Sequence, residues 1–382
     1  MKINRKLALF QAGLIYFAGL GAAMQYAKLA VTFDLFLTRY EDYGSLVGLL
    51  LSSVGFIGIL LGVFAAIFAR RIGMVRVLLG GLVLGIICSL VQSFDLGFIP
   101  MLITRAIEGL SHLAIVVAAP TLIAQIVDPK DRPIMLIIWG TFFGVSFALM
   151  GWLGRMIALT YGVHSLFLLH ALWLLLALIA LWLSLRRDAQ RNDAMPNTIL
   201  SEHLRIYLTP AIFAPAMGWL FYTFCFVSLF TLIPNLVNAE WRGFLLTFMP
   251  LMTIISSLTL GAFLQRFFPA AAIVRIGFLA AAAFLGLLLF FNGSILFALL
   301  FAGGMGLTQG ASFASVPEFN SNQADIASAN GGMAQMGNLG NTIGTPILLT
   351  ISLQLGTSVM IAISAILLCI GCFAHWAMQQ RI

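Results

Sequence analysis

The sequence predicts an all-α membrane protein, with twelve transmembrane helices in two six-helix bundles. Three observations carry that prediction. Of the 382 residues, 61% are apolar and 9% charged, against roughly half and a quarter in soluble globular chains. The apolar residues run in long unbroken blocks, unlike the ~10-residue alternating strands of an outer-membrane barrel. A helical span needs about 20 such residues to cross ~30 Å of hydrocarbon. A polar stretch from Leu185 to Tyr207 falls near the middle and divides the blocks six and six.

Charged, glycine and proline breaks delimit spans near 8–33, 44–68, 74–93, 97–126, 132–159, 164–185, 208–238, 243–266, 271–291, 294–318, 324–352 and 356–379. The chain then reads as a first bundle over 1–185, a linker over 186–207 and a second bundle over 208–382. An even number of spans puts both termini on one side. Lys2, Arg5, Lys6, Arg70, Arg71, Arg76, Lys130, Arg132, Arg186, Arg187, Arg191, Arg205, Arg266, Arg275 and Arg381 fall on that side, fifteen of the twenty basic residues. The basic bias makes that side cytoplasmic and the expected location a cell inner membrane. The net charge of +7 is thus a topology signal, and no nucleic-acid partner is expected. The basic Met1 to Lys6 precedes an apolar run too long for a signal-peptide core, so the first helix is expected to stay.

Cys88, Cys225, Cys369 and Cys372 all lie inside apolar blocks, where a small thiol packs well. No phosphate loop, triad context or metal-ligand cluster is present in the sequence. An enzyme, a cofactor and a metal are therefore not expected.

The ionisable residues inside the spans carry the functional reading, because a charge in hydrocarbon must find a partner or a ligand. Lys28 follows twenty apolar residues of the first span. It reaches mid-depth if that helix runs on towards Tyr40, and snorkels to the surface if the helix stops at Phe33. Arg105, Glu108 and His112 recur at spacings of three and four, on one face of the fourth helix. They serve either as an ion pair that locks helices together or as a switch. In the switch, a bound anion competes for Lys28 or Arg105 and frees Glu108 to take a proton, with His112 as the other proton carrier. Asp34 is expected to pair with Arg39. On the eleventh span Gln335, Asn338 and Asn341 repeat every three residues and offer carboxamides to a solute or to a neighbouring helix. Tyr222 of the seventh span would add a contact from the second half.

Two bundles joined by a linker are the layout of alternating-access carriers, and three local patterns resemble the major facilitator superfamily. The loop Ala66 to Arg76 carries Arg71 and Gly73 of the pattern Gly-x-x-x-Asp-Arg-x-Gly-Arg-Lys. There Ala66 and Arg70 replace its first Gly and its Asp, so the gate built on that acid is not implied. Arg105-Ala106-Ile107-Glu108-Gly109 resembles the fourth-helix Arg-x-x-Gln-Gly signature, and Gly331 to Asn341 resembles the Gly-Gln-x-Gly-Asn-x-Gly stretch of small-solute members. The proline of the drug-antiporter fifth helix is missing between Trp139 and Gly154. Ala22 to Lys28 and Arg105 to Pro120 are together similar to the cyanate and 2-nitroimidazole permease group, which implies small, compact, often anionic solutes.

Resemblance and charge converge on a monomeric secondary transporter that imports a small anionic solute by proton symport. Lys28 and Arg105 would attract the anion, and Glu108 and His112 would couple the proton. Tyr222, Gln335, Asn338 and Asn341 would supply neutral contacts. The rival is a proton-driven efflux antiporter for drugs or metabolites, whose pocket would favour an acid over Lys28.

Overall fold

The computed structural model describes residues 5–382 apart from residues 129, 186–198, 292 and 322. Lys2, Arg186, Arg187, Arg191 and most of the linker lie outside the described residues. The first bundle consists of the first span Arg5–Ala30, the second Gly48–Ile72, the third Met74–Gln92, the fourth Phe98–Ile126, a segmented fifth and the sixth Val163–Ser184. The fifth runs through Arg132–Gly140 and Phe142–Leu149 into a π-helical turn Met150–Gly154, then Arg155–Tyr161. A short helix Ile199–Leu208 occupies the end of the expected linker.

The second bundle follows as the seventh span Pro210–Leu232, the eighth Ala239–Ser256, the ninth Ala270–Phe290, the tenth Ile295–Phe319, the eleventh Gln323–Leu355 and the twelfth Thr357–Gln379. The eighth also passes through a π-helical turn, Ser257–Gly261, before ending at Leu264. Eleven helices among the described residues are apolar enough to cross a membrane by composition alone. The 33-residue eleventh span is the remaining one, because its Asn, Gln, Thr and Gly dilute the apolar residues.

The first span stops earlier than its apolar run. Its helix ends at Ala30, a turn at Val31 and Thr32 follows, and a separate helix covers Phe33–Arg39. Gly73 joins the second and third spans with φ of 102°, a conformation only glycine adopts without strain.

The sixth span shows why sequence cannot say which face of such a helix turns inward. It buries Leu166, His170, Ala171, Leu174, Ala177 and Leu181 and exposes Leu168, Leu172, Leu176 and Leu183. Both stripes are apolar because lipid, not water, bounds the outer one.

The bundles meet along two seams, second span on eleventh and fifth on eighth. Glycines permit the approach. A Cβ at Gly58 would lie 2.4 Å from Asn338 Nδ2, and one at Gly151 would lie 2.3 Å from the Leu246 carbonyl oxygen. Both positions lie in the half of their helix farther from the terminal face. One continuous core joins Tyr26, Leu50 and Phe147 of the first bundle to Tyr222, Phe226 and Met249 of the second. The bundles are therefore closed on each other at the face opposite the termini.

Candidate functional site

Lys28, near the C-terminal end of the first span, is 1% exposed. It does not snorkel. Its ammonium group donates to Glu108 Oε1 at 2.7 Å, to Gln92 Oε1 at 3.1 Å and to Ser89 Oγ at 3.1 Å. The His170 Nδ1 stands 3.2 Å away, and the Phe167 ring lies beneath, 4.8 Å from the nitrogen to the centroid. His170 Nε2 is 2.9 Å from the Gly21 carbonyl oxygen, which can only accept. That assigns the ring hydrogen to Nε2 and leaves Nδ1 as the acceptor for Lys28 and Ser89. The three donors of Lys28 are thus used inside the first bundle, among the first, third, fourth and sixth spans.

Glu108 is shared. Its second carboxylate oxygen accepts from Arg105 Nη1 and, at 3.0 Å, from Gln92 Nε2. Arg105 Nε donates to the Leu50 carbonyl at 2.9 Å, which ties the fourth span to the second. Arg105 and Glu108 are fully buried. With His170 neutral, two cations face one carboxylate and the cluster keeps an excess positive charge. Arg105 Nη2 has no hydrogen-bond partner among the described residues. An unpaired guanidinium nitrogen in so dry a place is costly unless a ligand takes it.

Tyr26, two residues before Lys28, sets its hydroxyl against the second span, where a Cβ at Gly55 would lie 2.9 Å from it. That hydroxyl is buried and without a partner among the described residues. His112 shares the helix face with Glu108 but does not bond to it. Its Nδ1 lies 3.1 Å from the Ala22 carbonyl oxygen, and its ring stands edge-on to Tyr26 at 5.1 Å. It keeps 5% exposure, whereas Glu108 and Arg105 have none.

The carboxamides of the eleventh span divide between neighbours. Gln335 accepts from the Tyr207 hydroxyl at 2.8 Å and donates across the seam to the Ile59 carbonyl at 3.4 Å. Asn338 abuts Gly58 of the second span, and the intervening Gly340 sits directly on the backbone of the seventh span. Asn341 Oδ1 is buried without a partner among the described residues. Tyr222 stacks on Trp219 at 4.4 Å and on Phe226 at 5.4 Å, and its hydroxyl too has no partner among the described residues.

Asp34 does not pair with Arg39. Five residues apart, the two point about 140° away from each other on a helix. Arg39 instead meets Asp95. Asp34 takes both terminal nitrogens of Arg155 at 2.9 Å, and Arg242 of the second bundle at 2.6 Å. Arg155 also donates to the Val31 carbonyl at 2.8 Å. Burial raises the Asp34 carboxyl, but the Arg155 hydrogen bonds and the charges of Arg155 and Arg242 outweigh it and hold it below the usual carboxylate range.

Sequence reasoning missed Ser89, Gln92, His170 and Tyr26. His170 had a signal, being the one ionisable group inside the apolar run Leu166 to Leu183. Ser89 and Gln92 had none, since small polar residues near a span end are common. Among the described residues no group of three or more His, Cys, Asp or Glu side chains is placed to hold a metal.

The Major Facilitator Superfamily model matches residues 15–345. No curated protein matches the chain by sequence. Two crystal structures of a bacterial homologue of the human lysosomal transporter Spinster are similar over 100% of this chain and 98% of theirs. The inward-facing, occupied form has a TM-score of 0.80 at 13% identity, and the inward-facing, unoccupied form a TM-score of 0.75 at 15% identity. At such identities the likeness is one of fold. The family match spans most of the chain, which belongs to the major facilitator superfamily, a family of multi-pass membrane transporters rather than enzymes.

Proposed function

We propose that this transporter imports a small anionic solute across a cell inner membrane, as a monomer, by alternating access coupled to proton symport. The observation that carries the reading is the excess positive charge of the Lys28–Glu108–Arg105 cluster, together with Arg105 Nη2 and the Tyr26 hydroxyl, both buried and without partners among the described residues. A neutral or cationic solute would leave that charge uncompensated. The resemblance to the cyanate and 2-nitroimidazole permease group supports compact solutes.

Each residue takes a defined part. Arg105 and Tyr26 meet the anion. Lys28, its donors engaged, contributes charge and stays on Glu108 when an anion draws Arg105 off the carboxylate, losing that ion pair only once Glu108 takes a proton. Released from one cation, Glu108 is easier to protonate. His112, with Nδ1 occupied by the Ala22 carbonyl and some exposure retained, offers Nε2 as the other proton acceptor. Tyr222 and Asn341 bring free polar atoms from the second bundle, and Gln335 and Asn338 sit where that bundle touches the second span.

With both termini cytoplasmic, as the basic bias supports, closure opposite the termini fits an inward-facing state. The two Spinster homologue structures carry the same description. Both bundles belong to one chain, so one copy suffices to enclose a site.

The test is flux. Proteoliposomes carrying a luminal pH dye and the full chain would be offered a panel of small anions under an inward proton gradient. Anion-dependent acidification in wild type, abolished in Arg105→Gln, is expected. Acidification that is absent for every anion, with lipophilic cations moving outward instead, would overturn the reading in favour of efflux.

A further inference from the structure

The orphaned polar atoms belong to two different bundles, and rings connect them. Arg105 Nη2 and the Tyr26 hydroxyl lie on the first bundle, the Tyr222 hydroxyl on the second, all buried and without partners among the described residues. From Tyr26 the ring of Phe143 follows at 5.7 Å, Phe147 at 5.9 Å, then Phe226 at 6.0 Å and Tyr222 at 5.4 Å. The Phe147 to Phe226 step crosses from one bundle to the other. Trp219 continues the row at 4.4 Å from Tyr222. Phe143 and Trp219, on the two flanks, are only partly buried, while Phe147 and Phe226 at the crossing are buried.

Two features of this row are unlike ordinary filling between helices. A phenol at an apolar seam leaves its hydroxyl dry at a cost of roughly 1–3 kcal/mol, and Phe in its place would avoid that cost. Here two phenols stand in one row, one from each bundle. Flat rings at 5–6 Å also present faces and edges to which another flat ring adds readily, in offset or edge-on contact. An inorganic anion or a short aliphatic acid would use the Arg105 end and leave Tyr222 unsatisfied.

We propose that the solute is an organic anion with a flat, unsaturated body. Its carboxylate would sit on Arg105 and Tyr26, its ring among the aromatic side chains between the bundles, and a polar group at its far end on Tyr222. This rests on the anionic reading of the same site and narrows it. One solute would then touch both bundles, so that binding reports on their separation.

The experiment is thermal stabilisation of the full-length protein, with tryptophan fluorescence as a second readout, against five probes: benzoate, 4-hydroxybenzoate, acetate, nitrate and benzamide. The expected result is binding of the two ring acids, with acetate, nitrate and benzamide silent. The hydroxy acid should bind about fivefold more tightly than benzoate, the worth of one added neutral hydrogen bond. Tyr222→Phe, which keeps the stack on Trp219, should erase that fivefold difference and leave benzoate unchanged. Acetate or nitrate binding as tightly as benzoate would overturn the flat body while leaving the anionic reading intact. Benzamide binding as tightly as benzoate would overturn both. A fivefold preference surviving in Tyr222→Phe, or silence from all five probes, would also overturn the proposal.

Discussion

Two clusters in this protein have the same charge formula and opposite architecture. Each sets one carboxylate between two cations: Glu108 between Lys28 and Arg105, and Asp34 between Arg155 and Arg242. The first lies wholly within one bundle with its side chains unexposed. The second bridges the bundles with the Asp34 and Arg242 side chains about one fifth exposed, at 21% and 20%. Burial makes the inner cluster intolerant of any uncompensated change in charge. Exposure leaves the outer one, a clasp between the bundles on the face opposite the termini, weakened by solvent screening.

The sharpest way to break the comparison is Glu108→Gln, which strands two buried cations and should destabilise the protein by about 3–5 kcal/mol. A large fall in the unfolding temperature of the purified protein would show it. Adding Lys28→Met to Glu108→Gln should restore part of the loss, because one stranded cation goes with it. A second carboxyl variant, Asp34→Asn, should leave the unfolding temperature nearly unchanged.

Next in size is Gly151→Ala. The new methyl would meet the Leu246 backbone at 2.3 Å, and overpacking of this kind costs about 1–3 kcal/mol. The fifth and eighth spans should separate, and spin-label distances across that seam should lengthen in a larger share of molecules. Arg242→Gln acts on the same equilibrium more gently, by about 1 kcal/mol, because water screens a partly exposed pair. Cysteine labelling of the seam should rise several-fold without a loss of folding.

Acid offers a milder probe. The Asp34 carboxyl is held below its ordinary range, so the clasp is fully present above that range and is lost only as pH falls through the depressed value. Moderate acidification, such as pH 5.5 to 7, should therefore leave seam labelling flat, and a rise within that window would show that Asp34 does not hold the clasp. Smallest of all is Arg39→Ala. Its pair with Asp95, whose side chain is 91% exposed, should contribute nothing measurable to stability or labelling.

Much of this was legible before any coordinates. Arg105 and Glu108 share a helix face by spacing alone, and the structure places them side by side. Lys28 was recognisable as a charge needing a partner. Its four hydrogen-bonding partners were not, since Ser89, Gln92, Glu108 and His170 lie 61 to 142 residues away in sequence. The expected Asp34–Arg39 pair failed for the opposite reason. Nearness in sequence outweighed the helical angle, and the true partners come from the fifth and eighth spans. The carboxamide repeat on the eleventh span was visible as a pattern. Which of its members meet the second span, and which is left unpartnered, depends on how that helix is rotated.

Composition, block length and the distribution of Lys and Arg determined by themselves that this chain crosses a membrane twelve times in two halves. Those properties follow from the cost of moving residues between water and hydrocarbon, which is additive along the chain. Helix rotation and pairing were decided only in the tertiary structure. In spans that are apolar on every side the lipid-facing and protein-facing stripes read alike, and close packing at glycines such as Gly58 and Gly151 selects one arrangement. That arrangement places the Lys28 charge inside one bundle, leaves Arg105 Nη2 and two phenol hydroxyls without partners among the described residues, and sets Asp34 across the gap between the halves.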